Sequence, residues 1–227
     1  PHVEIIDRVV NMGHDLVLTV PIPPLRRVGL GSSSLTMHLL RKCPVPVWVH
    51  SPLAETSDSV VVAVGPIEED THQLNTKLLE LGSSLAAATK NELHVVHAWR
   101  LEGETMLRSP RLGYTTDDIE AMGSEVRDEA ARDLAALVAS VPAATTAQVH
   151  LRKGHAADVI SGVIDELNPA TVVMGTLARS GIPGYIIGNT AEQVLVGVNR
   201  SVLAVKPDGF VSPIAAIRDW QAAHLPY

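Results

Sequence analysis

Residues 174–195 read MGTLARSGIPGYIIGNTAEQVL. Gly175 directly follows the apolar run ATVVM (170–174), Gly181 and Gly184 fall inside the stretch, and Gly188-Asn189-Thr190 stands where a helical pattern opens. A short run with no polar face reads as a strand covered on both sides. The stretch is therefore a strand, a glycine-bearing turn and a helix N-terminus. An α/β sheet holds a phosphate-bearing ligand at such a turn, because glycine amides approach an oxygen with no Cβ in the way and the helix dipole adds positive potential. Asn189 or Thr190 is expected to cap the helix when the site is empty, and either side chain can also hydrogen-bond a phosphate oxygen. Spacing alone leaves open that the glycines serve only tight turning.

Outward from this turn, β-branched runs alternate with segments of helical period from Ser59 onward, the mark of a parallel α/β sheet. Strands are expected at VVVAV (60–64), LHVVHAW (93–99), 147–151, 170–174 and 201–205. Leu74, Leu78, Leu81, Leu85 and Ala88 recur at helical spacing after Glu68-Glu69-Asp70-Thr71, where carboxylates suit a helix start. The segment 101–114, rich in Gly, Pro and Arg, reads as a loop. Thr115 and Asp118 have capping-box spacing before a helix through about residue 140. Helices at 156–167 and from Asn189 complete an open, parallel, five-stranded sheet with helices on both faces.

Composition agrees. Seven aromatic residues among 227 leave the core to Val, Leu, Ile and Ala. A net charge of −7, with no basic cluster longer than pairs such as Arg26-Arg27 and Arg41-Lys42, argues against direct nucleic-acid binding. No run approaches the roughly 18 apolar residues of a membrane span. The single cysteine, Cys43, makes no intrachain disulfide, and the expected location is the cytoplasm.

Residues 3–50 repeat the order of residues 157–206: VEIIDRVVNM matches ADVISGVIDEL, HDLVLTV matches ATVVMGT, GSSSLTMHLL matches GNTAEQVLVG and CPVPVWVH matches RSVLAVKP. From Gly31 against Gly188 the offset holds at 157. The expected organisation is the C-terminal part of a first domain (1–50), a polar linker (51–58), a complete second domain (59–207) and a tail (208–227). If the units are similar in size, about 96 residues (154 minus 58) are expected upstream of Pro1. Without them the first unit would present an open sheet edge, which such residues or another chain must cover.

With these features in view, the turn resembles the G-x2-G-x9-G-[ST] nucleotide loop of the universal stress protein family. Gly175 and Gly188 stand at the first and last glycine positions and Thr190 follows. Ala178 replaces the second glycine, and Asn189 takes the place of Ser or Thr. The family's ATP-binding members carry an Asp after strand one, where this chain has Gly65-Pro66. GTLARSGIPG, VLAVKPDGFVSP and HLLRKCPVPVWV are most similar to the tandem-domain members. The resemblance implies a Rossmann-like, adenine nucleotide α-hydrolase-like fold. It implies two domains facing each other through their last strands, 45–49 and 201–205, with a homodimer as a further form. It implies a stress-response protein that acts by ligand binding and protein association and is not an enzyme. ATP is the implied ligand, at a degenerate site comprising Gly65, Gly175, Ala178, Gly188, Asn189 and Thr190. In the first unit PIPPLRRVGLGSS keeps only Gly31 and Ser32 of the motif, so that site is expected to be dead. A slow ATPase and a module for an apolar ligand or none remain as alternatives.

Other constellations carry less. Gly29-x-Gly31-x-x-Ser34 lacks the adjacent strand and ribose-binding acid of a dinucleotide fingerprint. His94 and His97 fall on opposite faces of one strand, so no metal site is expected. The serines at 32–34 fit helix capping rather than a nucleophile elbow. Cys43 reads as a small buried thiol, and Glu68, Glu69, Asp117 and Asp118 as solvated first-turn carboxylates.

Overall fold

The computed structural model describes residues 1–20, 34–51, 57–176 and 187–214. Helix α1 (His2–Met12), β1 (Val17–Thr19), α2 (Ser34–Lys42) and β2 (Val47–Val49) come first. Then follow β3 (Ser59–Ala63), α3 (Glu69–Thr89), β4 (Glu92–Trp99), α4 (Glu104–Leu107), α5 (Thr116–Ser140), β5 (Gln148–Lys153), α6 (Ala156–Leu167), β6 (Thr171–Gly175), α7 (Asn189–Gly197) and β7 (Ser201–Val205). The expected elements are all present, within two residues at their ends. The stretch 101–114 is more ordered than a plain loop, holding α4 and a 3-10 turn at Pro110–Leu112.

All seven strands form one sheet in the order β1-β2-β7-β6-β3-β4-β5. Every pairing is parallel except β2 with β7, which run antiparallel with Trp48 opposite Leu203. The five strands from Ser59 onward thus make the expected open parallel sheet, and β1–β2 extend it across the β7 edge. Val17 pairs with Val47 as Met174 pairs with Ala204, each partner 157 residues further on. That register moves the repeat match in this strand by one residue, setting HDLVLTV against TVVMGTL instead of ATVVMGT. The helix–strand turn is shorter in the first copy, from Gly13 to Val17 against Asn168 to Met174, which absorbs the difference.

Residues of β3, β6 and β7 are almost all buried, which explains their lack of a polar face. Alternate side chains feed two cores. Val61, Ala63, Val96, Val172 and Val202 pack under α1, α2, α6 and α7. Val60, Val62, Val95, Val173 and Leu203 pack under α3 and α5. The edge strand β5, QVHLRK, is correspondingly polar and partly exposed.

The α3 stripe departs from the leucine spacing. Its buried residues are Thr71, Leu74, Asn75, Leu78, Leu79, Gly82, Ser83 and Ala86, and Ala88 is exposed. The helix is rotated so that Gly82 faces Val62, where a Cβ would lie 2.2 Å from Val62 Cγ2. Only hydrogen fits there. At the start of α5 the Thr115–Asp118 box forms as expected: Asp118 Oδ2 accepts from the Thr115 amide at 2.8 Å, and Thr115 Oγ1 accepts from the Asp118 amide at 3.1 Å.

Candidate functional site

The chain leaves β3 toward α3 on one face of the sheet and leaves β6 toward α7 on the other. Since β3 and β6 are neighbours, their C-terminal ends form the topological switch point at which open α/β sheets bind ligands. Ala63 pairs with Met174, so Gly65 and Gly175 emerge side by side at that crevice, both half-buried. Gly188 is the N-cap of α7, buried, and its amide donates to the Thr176 carbonyl at 3.4 Å. Asn189 and Thr190 are the first two helical residues, exposed and half-buried respectively. The structure thus brings Gly65, Gly175, Gly188, Asn189 and Thr190 to one end of the sheet. Ala178, Gly31 and Ser32 lie outside the described residues, as does the Gly29-x-Gly31 stretch.

The expected cap is corrected. Neither Asn189 nor Thr190 caps α7, because the capping position belongs to Gly188, which has no side chain to offer. Gly188 therefore supplies no side chain to the first amides of α7, which a helix start leaves without intrahelical partners. Gly175 also has a packing reason independent of any ligand: a Cβ there would sit 3.0 Å from Leu74 Cδ2.

At Gly65 the exit of β3 is held by a neutral clamp. Asn75, buried on α3, accepts from the Gly65 amide at 3.0 Å and donates through Nδ2 to the Pro66 carbonyl at 3.0 Å. Thr71 Oγ1 donates to the same carbonyl at 2.6 Å and accepts from the Glu68 amide at 3.1 Å. His97 braces the exit of β3 from below, its Nδ1 lying 3.3 Å from the Val64 carbonyl, and burial holds its pKa below the usual histidine value. His94 faces the other way and meets His150, with Nδ1 3.0 Å from its Nε2. No cluster of three metal-ligating side chains occurs among the described residues. Cys43 is fully buried, and burial pushes its thiol pKa up, away from reactivity.

Asn75, Thr176 and Lys206 escaped the sequence reading. Lys206 is buried directly after β7, and its Nζ donates to Thr176 Oγ1 at 2.6 Å. The available signal for Asn75 was a polar residue four positions from Leu79 on a buried helical stripe. For Lys206 it was a lone cation closing an apolar strand.

Sheet order, switch point and helix start define an open, doubly covered α/β domain. The model of the universal stress protein family matches residues 57–206, and the chain belongs to that family. It is similar to Universal stress protein E of Photorhabdus laumondii, 32% identical over 225 residues that cover 96% of this chain and 70% of the relative. The Escherichia coli K12 protein of that name is 31% identical over 219 residues, 94% of this chain and 67% of the relative. Among solved structures, a functionally unknown protein from Pseudomonas aeruginosa PAO1 superposes with a TM-score of 0.72 at 28% identity, covering 99% of this chain and 73% of its own. No helix among the described residues is long and apolar enough to cross a membrane.

Proposed function

We propose that this member of the universal stress protein family works by binding an anionic ligand in the crevice between β3 and β6, with the first amides of α7 as donors. The N-terminus of α7 beside the switch point, where the N-cap Gly188 offers no side chain to the helix amides, carries this reading. Adenine nucleotide is the ligand class to test first. Gly65 and Pro66 stand after β3 where ATP-binding members carry an Asp, so the phosphates would supply most of the attraction. The carboxylate in the first turn of α7, Glu192, is paired with Arg41 at 2.9 Å, which speaks for binding rather than turnover. Calorimetry with ATP and Mg²⁺ tests the reading: saturable heat is expected, and no heat at millimolar ligand refutes it. Phosphate release above blank would favour a slow ATPase.

A second reading, an apolar ligand or none, is favoured by Leu74 lying against Gly175 and by fully buried Ile187 at the same end. Cytoplasmic residence and self-association belong to the same proposal. The antiparallel β2–β7 pairing within the chain supports only the facing of its two units through their last strands.

A further inference from the structure

Burying a charge is costly unless hydrogen bonds compensate it. Among the described residues, Lys206 is the one lysine, arginine or carboxylate that is buried. Its Nζ donates to the Leu40 carbonyl at 2.5 Å and to Thr176 Oγ1 at 2.6 Å, and lies 5.0 Å from the centre of the Phe210 ring. Leu40 belongs to the last turn of α2, whose carbonyls lack intrahelical partners, so the ammonium also meets the negative end of that helix. Thr176 in turn donates its amide to the Val205 carbonyl at 3.1 Å, and its own carbonyl accepts from the Gly188 amide at 3.4 Å. Bonds therefore run without interruption from the end of α2, through Lys206 and Thr176, to the residue that opens α7. The Arg41–Glu192 pair, 2.9 Å, joins the same two helices at the surface. The repeat supplies no counterpart: Val49 stands 157 residues before Lys206.

We propose that Lys206 is a positioning residue for the anion site, setting where the first amides of α7 stand and making their hold on a ligand depend on the seating of α2. The proposal rests on the reading of α7 as the ligand-binding element, and the test separates the two. Two variants are compared with the parent. Lys206→Met keeps the apolar stem and removes the ammonium. Thr176→Val removes only the hydroxyl that receives it. Amide exchange by NMR is read at Gly188, Asn189 and Thr190, and at Cys43, whose amide bonds to the Leu39 carbonyl at the end of α2. ATP affinity with Mg²⁺ and thermal stability are measured alongside.

Both variants are expected to speed exchange at Gly188 to Thr190 by about tenfold over amides of β4, and to weaken ATP binding by about tenfold, as loss of a charge-assisted hydrogen bond implies. Only Lys206→Met should also loosen Cys43. Unchanged exchange at α7 in Thr176→Val, or loss of protection spread evenly over the fold with the fall in Tm, overturns the proposal. If the parent binds no ATP, the ligand reading falls and the proposal falls with it as a statement about binding; the exchange pattern then decides whether Lys206 orders α7 at all. If Lys206→Met does not fold, Thr176→Val decides.

Discussion

Replacing Gly82 by alanine sets two effects against each other. Alanine is favoured over glycine inside a helix by about 0.8–1.0 kcal/mol. Against this, the new Cβ would stand 2.2 Å from Val62 Cγ2, whereas carbon atoms pack at about 3.5–4.0 Å, so a gap of roughly 1.3 Å must open. Val62 cannot easily give way. It is fully buried in β3 between Val95 of β4 and Val173 of β6, and its branched side chain has one stiff χ1 torsion. Overpacking of this kind costs about 1–3 kcal/mol, so after the propensity gain Gly82→Ala is expected to lose up to about 2 kcal/mol net. Gly123→Ala in α5 is the control. Nothing lies within 4 Å of its added Cβ, so only propensity acts and a gain of up to about 1 kcal/mol is expected. Urea unfolding followed by far-UV circular dichroism reads both as midpoint shifts at constant slope. Adding Val62→Ala to Gly82→Ala should cost less than the sum of the two, since the clash disappears with the methyl. A Gly82→Ala protein that gains as much stability as Gly123→Ala would refute the packing argument.

Two further outcomes follow from the site. Asn75→Ala leaves the Gly65 amide and the Pro66 carbonyl without their partner, and should cost about 1–3 kcal/mol by urea unfolding; a loss under about 0.5 kcal/mol would mean that water serves those groups equally well. Burial lowers the Lys206 pKa from 10.5 to about 8 in the folded chain. The unfolded chain therefore binds more protons between those values, and stability from this group rises with pH across that window. The penalty is full below about pH 8, is gone above about 10.5, and amounts to about 3 kcal/mol. The raised thiol pKa of Cys43 acts in the opposite sense, because the unfolded thiol ionises first. The difference between parent and Lys206→Met, measured by unfolding from pH 7 to 10.5, isolates the lysine, and a difference that stays flat would contradict its burial as a cation.

Periodicity and composition carried most of the fold into view. Valine runs with no polar face read as central strands, because a strand covered on both sides buries every side chain. The helix start at Thr115 was legible because local chemistry decides it. The GNTAEQVL match also betrayed the repeat, since an offset of 157 survives in the strand register itself. Three things were out of reach of local pattern. The α3 stripe turned away from Ala88 because a contact with Val62, twenty residues earlier, admits no side chain at Gly82. The N-cap of α7 fell on Gly188 rather than on its polar neighbours because the Thr176 carbonyl holds that amide. The buried bonds of Lys206 join Leu40 to Thr176, 136 residues apart in the chain, and only the antiparallel meeting of β2 and β7 brings them within reach. The sequence by itself determined which segments are strands and helices and where the glycines of the turn fall, since these follow from neighbours a few residues away. Tertiary structure alone decided what those glycines face and which polar groups are tied together, because such contacts depend on how distant segments pack.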